Sequence, residues 1–202
     1  MSINVCNDRS MASITSLPSG VYGSSLVLLE TQTASSSATI SFTSGIDSTY
    51  KEYIFKFIDI HPQTDQKHFQ VNFRDGGSNY DATKTTTIFE AYHAEDDSGA
   101  ALQYTDARDL AQSTSAQRLS DSTGNGNDES CSGTLHLFDP SSTTFVKHFM
   151  ATVQNYQGDG DGHSIQHFTA GYCNVTAAID GVQFSFNSGN IDAGTIKMYG
   201  VL

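Results

Sequence analysis

The segment 158–162, Gly-Asp-Gly-Asp-Gly, has residue types and spacing that could bind a metal ion. Alternating carboxylates supply the hard oxygen ligands that Ca²⁺ prefers, and glycines let the chain turn tightly around an ion. An EF-hand loop that began at Asp159 would require a glutamate where Ala170 stands, so that type of site is excluded. The same pattern is typical of a turn between two strands. We interpret it as a turn, assign no metal, and keep Asp159 and Asp161 as candidate calcium ligands. The acidic segment 125–129 is interpreted in the same way.

Histidines are a second group that could bind a metal or transfer protons. They are scattered over different predicted strands and turns and form no HExxH motif or other compact ligand spacing. The seven are His61, His68, His93, His136, His148, His163 and His167. We interpret each of them as a strand-surface or subunit-contact residue, although a threefold axis could still gather one histidine per copy around an ion.

Motifs of the common enzyme classes are absent from the sequence. It contains no GxSxG nucleophile elbow, no GxxxxGK[ST] phosphate loop, and no GxGxxG between a strand and a helix. The adjacent carboxylates Asp96 and Asp97 lie in a polar segment, where solvated charges are a simpler interpretation than a glycosidase pair. The sequence therefore predicts no catalytic residue, no cofactor site and no enzymatic activity.

Charge and composition exclude further classes of partner. The 202 residues include 10 Lys and Arg against 22 Asp and Glu, so the formal net charge is −12. A nucleic-acid-binding surface requires a basic stripe, so no nucleic-acid partner is predicted. The chain has 26 Ser and 21 Thr, a polar composition that suits β-sandwich surfaces and exposed fibre proteins.

Cysteine usage and hydropathy bear on where the chain folds. Cys6, Cys131 and Cys173 cannot all pair within one chain and have no metal-ligand spacing, which indicates folding in a reducing cytosol. No segment approaches the roughly 18 apolar residues of a membrane span, and no signal peptide is predicted. We therefore expect synthesis in a cytoplasm without insertion into a membrane.

From residue 24 onward, the sequence consists of short runs rich in Val, Ile, Phe, Tyr and Thr that are bounded by turn-forming residues. These runs predict strands at 24–31, 38–43, 50–60, 68–74, 85–93, 132–138, 145–155, 165–173, 181–186 and 195–201. Apolar and polar residues alternate in several of them, as in half-buried strands. Only 106–118 has a weak helical periodicity. Residues 95–130 are predicted to form a long excursion that is exposed or used in subunit contacts.

These elements predict an all-β fold, a jelly-roll-like antiparallel β-sandwich of about eight to ten strands. The predicted core consists of Phe55, Phe57, Phe69, Val71, Phe73, Phe184, Phe186 and Ile196. Residues 1–23 lack a strand pattern and are predicted to form an irregular N-terminal arm that attaches to a partner, while 24–202 form a single sandwich domain. Strands that are apolar on both faces predict a homo-oligomer, with a trimer as the expected state.

The C-terminal segment 178–202 carries turn-and-strand signatures of a known group of proteins. A strand is followed by a Gly-Asn turn at 189–190, a Gly-Thr step at 194–195 and a terminal strand that ends in Tyr-Gly-Val at 199–201. The segments 42–50 and 146–149 also fit, and the likeness extends over about 26–202. On these features the chain resembles virion structural proteins of tailed, marine phage-like bacteriophages, which include jelly-roll head fibres, capsid decorations and tail-associated proteins.

The resemblance implies a non-enzymatic structural role on a virion, as an exposed capsid decoration, head fibre or tail-fibre component that binds other capsid or tail proteins and contacts the host surface. Two other classes remain open. A carbohydrate-binding module would use Tyr80, Tyr92, Tyr104 and Tyr156, which lie in or near predicted loops, to bind a host cell-surface glycan. A glycan depolymerase of a tail spike would need a carboxylate pair in a groove.

Overall fold

The computed structural model describes residues 25–158 and 162–202. Within them the chain forms twelve β-strands and one short 3₁₀ turn at Asp106–Arg108. The strands are β1 (Leu26–Thr33), β2 (Ile40–Phe42), β3 (Glu52–Pro62), β4 (Phe69–Arg74), β5 (Lys84–Ala94), β6 (Ala100–Tyr104), β7 (Gln117–Arg118), β8 (Cys131–Phe138), β9 (Lys147–Gln157), β10 (His163–Cys173), β11 (Gly181–Phe186) and β12 (Ile191–Val201). The predicted arm, residues 1–23, lies outside the described residues.

The strands belong to two sheets. The larger sheet has the order β1-β12-β3-β8-β9-β10-β5-β6, and the smaller has the order β2-β11-β4-β7. Every pair of neighbouring strands is antiparallel. The two sheets pack face to face, which confirms the predicted all-β sandwich; its jelly-roll connectivity stays a prediction.

A period of two along the strands explains which side chains form the core. β4 and the first part of β9 alternate between buried residues and more exposed ones, because successive side chains point to opposite faces of a sheet. All eight residues of the predicted core are buried in one cluster that draws on both sheets. Aromatic rings join the sheets directly: the Phe184 ring of β11 lies 5.5 Å from the Phe55 ring and 5.1 Å from the Phe57 ring of β3. The interior is therefore a single aromatic core.

The excursion over 95–130 differs from its prediction. Residues 95–116 are exposed or half-buried, as expected, but Gln117, Leu119, Ser120 and Thr123 are fully or almost fully buried, so this later part is not an exposed loop. Two short strands that the sequence did not predict account for this: β6 pairs with β5 at one edge of the larger sheet, and β7 pairs with β4 at the edge of the smaller sheet. The excursion thus connects the two sheets and closes one side of the sandwich.

The weak helical periodicity over 106–118 corresponds to helical structure only in its first turn. Only Asp106–Arg108 is helical, as a 3₁₀ turn. The chain then runs along β5, where the Thr86 N–H donates to the Leu110 carbonyl and the Lys84 N–H donates to the Ser113 carbonyl. The free edge of β5 needs partners for its backbone groups, and this requirement outweighs a weak local periodicity. Among the described residues no helix is long and apolar enough to cross a membrane.

Candidate functional site

A network of charged side chains lies beneath the excursion that closes the sandwich. Arg108, from the 3₁₀ turn, forms ion pairs with two carboxylates, Glu90 on β5 and Asp121 near the end of the excursion. Only 16% of the Arg108 side chain and 3% of the Glu90 side chain is exposed. Charges buried to this extent are stable in proteins only when they are paired and hydrogen-bonded. Arg108 therefore ties the excursion to the inner face of the larger sheet.

Two histidines and two amides complete this charged network. The Gln103 amide donates to Glu90 Oε1 at 2.6 Å, and the fully buried His167 ring places Nδ1 3.2 Å from Glu90 Oε2. His167 Nε2 lies 2.8 Å from Asn155 Oδ1, and the Asn155 amide donates to the Asp121 carbonyl. On the other side, His68 Nδ1 lies 2.6 Å from Asp121 Oδ1. Both carboxylates are thus surrounded by polar partners from several strands.

The network keeps both carboxylates ionised. Burial alone would raise the pKa of Glu90, but hydrogen bonds from His167 and Gln103 and the charge of Arg108 outweigh it and hold this pKa at about 2. Burial opposes ionisation of Asp121 as well, yet the hydrogen bond from His68 and the charge of Arg108 lower the pKa of Asp121 below its usual value. Neither group has the raised pKa that a general acid needs near neutral pH.

A cleft of about 250 Å³ opens beside this network. Glu90, Arg108 and Asp121 form one part of its wall, and Tyr92 and Gln103 form another. The protein itself already pairs these charged groups, with one guanidinium shared by two carboxylates, so the wall is polar and has a formal excess of one negative charge. Such a wall suits a neutral hydrogen-bonding ligand better than an anion.

Acid is expected to weaken the fold through Glu90. Its pKa is about 2 in the folded chain and 4.5 in an exposed glutamate, a difference of about 3 kcal/mol in stability at neutral pH. A lowered carboxyl pKa contributes stability above about pH 4.5, and this contribution is lost as the pH falls towards about 2. We expect the free energy of unfolding in urea to fall between about pH 5 and pH 3, and to fall less in a Glu90→Gln variant. If the free energy of unfolding depends on pH equally in the wild-type protein and in the Glu90→Gln variant, this role for Glu90 is contradicted.

The histidines divide into different environments. The interpretation as strand-surface or contact residues is wrong for His167, which is buried inside the sandwich against Glu90 and Asn155. His93 and His148 do lie exposed on strand surfaces. The strand pattern places His167 on the inner face, but only the tertiary structure supplies the carboxylate that makes a buried imidazole favourable.

The structure does not test the candidate calcium ligands. Asp159 and Asp161 lie outside the described residues. Within 25–158 and 162–202, no group of three or more His, Cys, Asp or Glu side chains is placed to hold a metal ion. In the acidic segment 125–129, Glu129 Oε2 accepts a hydrogen bond from the Gly126 N–H at 2.5 Å, which is the geometry of a turn.

The residues considered for glycan binding or hydrolysis are dispersed. Tyr92 lines the cleft, whereas Tyr104 lies on the edge strand β6 and donates to Asp109. The Tyr156 hydroxyl donates to Glu95, and the Tyr80 ring lies under the Arg74 guanidinium. The structure therefore does not assemble the four predicted tyrosines into one platform. Asp96, considered as half of a carboxylate pair, accepts a hydrogen bond from the Ser98 N–H in a loop.

The outer face of the larger sheet is a second candidate site. We define the neutral face as every second residue from Thr85 on β5, Ala100 on β6, His148 on β9 and Ser164 on β10. None of these outward positions in the four described strands carries Asp, Glu, Lys or Arg. Several large apolar side chains are exposed there: Leu102 by 73%, Tyr104 by 62%, Met150 by 56% and Phe89 by 42%. An exposed apolar patch of this kind is typical of an interaction surface.

Charged residues of the same strands point inward. Lys84 and Lys147 are buried on either side of Cys173, to which both are paired in the sheet register. Burial lowers the pKa of Lys84 to about 8 and raises the pKa of Cys173 to about 12. The lysine amines donate to backbone carbonyls, Lys84 to Ser115 and Lys147 to Val175. In this part of the sheet the inner face thus holds charges while the outer face holds none.

Sequence reasoning missed both the network and the neutral face. Glu90, Arg108 and Asp121 are separated along the chain and form no motif, so only the path of the excursion brings them together. The sequence did contain a signal of the neutral face, because the apolar residues Phe89, Met150 and Phe168 each lie at a position that points to the same side of its strand as every second residue. Alternation alone does not reveal which face of a strand is covered.

Comparisons of the sequence with models of known protein families and with curated proteins found no match.

Proposed function

We propose that this chain is a non-enzymatic structural protein of a tailed-bacteriophage particle, made in the host cytoplasm and exposed on the virion as a capsid decoration or fibre component. The observation that carries this proposal is the neutral face. A β-sandwich that leaves part of a broad sheet face apolar and free of charged residues is suited to assembly with other protein surfaces. The resemblance of residues 26–202 to phage virion proteins is the reason for proposing that this assembly is a phage particle.

The chemistry of the buried network favours a structural role over a hydrolytic one. A glycan depolymerase needs one carboxylic acid with a raised pKa and a second carboxylate beside the scissile bond. In this chain the pKa values of Glu90 and Asp121 are both lowered, and both groups share Arg108 as counter-ion. This arrangement stabilises a fold and offers no proton to a leaving group.

Charge and the N-terminal segment suggest how the protein is arranged on a particle. The net charge of −12 keeps copies from binding nonspecifically to nucleic acid. Residues 1–23 are polar and lack a strand pattern, so we propose that they attach the sandwich to a capsid or tail protein. The sandwich then projects from the particle as a homo-oligomer, for which a trimer remains the expected state.

A reconstruction of the phage particle by cryo-electron microscopy tests this role. We expect density for the sandwich on the particle surface, with a copy number that distinguishes a decoration from a fibre. A matched particle lacking this gene should lose that density. Purified particles that contain no copy of the protein, by mass spectrometry of their components, would refute the proposal.

Glycan binding is a second candidate function, favoured by the polar cleft beside Glu90 and Arg108. Its wall of hydrogen-bonding groups next to the Tyr92 ring suits a neutral sugar. A glycan array probed with the purified protein would show micromolar binding that is lost in a Tyr92→Ala variant. Tyr104→Ala, on the outer face, serves as the control, and no binding to any glycan would remove this candidate.

A further inference from the structure

The neutral face contains an apolar groove that crosses three strands. Its lining includes Thr87, His148, Met150, Ala170 and Tyr172. The groove encloses about 450 Å³ and continues into a smaller depression of about 180 Å³ beside Phe89 and Phe168. Those two rings stack at 4.8 Å between centroids. The groove is thus lined by both small and bulky residues, and its volume can receive a projecting side chain.

Several residues of the surrounding strands depart from the pattern expected for a sheet with one face in water. Lys84, Glu90 and Lys147 are buried on the inner side, while Phe89 and Met150 are exposed on the outer side. A sheet with one face in solvent normally shows polar residues on that face. A sheet covered on both sides tolerates apolar residues on both, so this part of the sheet has the composition of one that is covered.

The dimensions match those of a stable protein interface. Three strands of 11 residues and one of five, spaced by about 4.8 Å with a rise of about 3.3 Å per residue, give a face of roughly 600 Å², the lower end of what one partner contributes to a stable interface. Each partner in a standard interface contributes about 800 Å².

The charge of the neutral face also fits a second copy of the chain. Two chains of net charge −12 repel each other least where neither carries a charged side chain.

We propose that the neutral face, with the groove at its centre, is the surface through which this chain binds a second copy of itself. The inference rests on the proposed function, since it names the contact by which the structural protein would oligomerise. Exposed apolar side chains that could enter the groove include Leu102 on the face itself and Phe145 in the loop before β9. If the inserted side chain comes from the neutral face of the second copy, the two copies form a symmetric pair. If it comes from another surface of the second copy, the copies form a ring such as a trimer.

Sedimentation equilibrium of the full chain and its variants tests the surface. We expect the wild-type protein to associate at micromolar concentration, and Ala170→Arg to weaken association by at least about tenfold, because it places a charge in an apolar contact. Met150→Glu is the second variant, at a position already exposed in one copy. The matched control is Ser185→Arg, on the outer face of the smaller sheet, which should associate like the wild type.

A measurement on the unaltered protein keeps the proposal testable if a variant does not fold. Oxidation of Met150 by dilute peroxide, followed by peptide mass spectrometry, should be slower at concentrations where the protein associates than after dilution.

A wild-type chain that is monomeric at about 100 μM, or association that both groove variants leave unchanged, would overturn the proposal. A monomer that instead binds a polysaccharide through Phe89 and Tyr104 would also overturn it. A wild-type chain that does not associate but is present on the particle contradicts this surface alone, whereas absence from the particle contradicts only the proposed function.

Discussion

Replacing Arg108 by methionine is expected to destabilise the fold by about 3–5 kcal/mol. The guanidinium is the counter-ion that Glu90 and Asp121 share, and all three side chains are largely removed from water. Methionine keeps the unbranched apolar stem but has no charge, so two carboxylates would remain close together without the cation that compensates them. A typical domain has a total stability of only about 5–15 kcal/mol, so this change would remove a large part of it. Urea denaturation at pH 7, at one fixed protein concentration, measures the difference.

Arg118→Met is the matched control for Arg108→Met. Its guanidinium lies 3.6 Å from Asp121 Oδ1 but its side chain is 40% exposed, so we expect a loss below about 1 kcal/mol. The destabilisation by Arg108→Met should also shrink as the pH falls from about 7 to about 4.5, because the unpaired carboxyls of the variant take up protons more readily. Equal effects of the two arginine variants at pH 7 would contradict the role assigned to Arg108.

Phe184→Ala is expected to destabilise the protein by a comparable amount, about 3–5 kcal/mol. Phe184 is fully buried between the sheets, and its ring lies within 6.3 Å of four other aromatic rings, those of Phe42, Phe55, Phe57 and Phe69. Truncation to alanine removes this apolar burial and leaves a cavity that the surrounding strands, held by their hydrogen bonds, can fill only in part. The midpoint of denaturant-induced unfolding measures the loss.

Phe145→Ala provides the comparison for the core variant. The Phe145 side chain is 71% exposed in a loop, so its removal should change the free energy of unfolding of the dilute protein by less than about 0.5 kcal/mol. A loss at Phe184 as small as the loss at Phe145 would show that the aromatic cluster does not hold the two sheets together.

The buried network affects where functional variation is tolerated. Arg108 and Asp121 anchor an excursion that bridges both sheets, so substitutions there act on the whole sandwich. Outward residues such as Thr152 and Gln154 are exposed and can change with little effect on folding. Surface recognition can therefore evolve on the neutral face while the network preserves the fold.

The sequence by itself determined the fold class and most of the core. Alternation of apolar and polar residues has the period of a strand, and it correctly placed Phe69, Val71 and Phe73 on the inner face of β4. Ten runs of this kind predicted ten of the strands, with ends displaced by a few residues because pairing, and not local sequence, decides where a strand stops. Strand periodicity is a local property, so a single sequence is enough to read it.

Only the tertiary structure decided which residues form the candidate sites. β6 and β7 are short and have weak patterns, and they exist because the edges of β5 and β4 need partners for their backbone groups. Arg108 contacts Glu90 and Asp121 because pairing with these strand edges sets the path of the excursion. In the same way, Lys84 and Phe89 both fit a strand, but only the packing of the second sheet decides that the lysine is inside and the phenylalanine outside. Which face of a strand is covered depends on contacts between distant segments, and a local pattern does not contain that information.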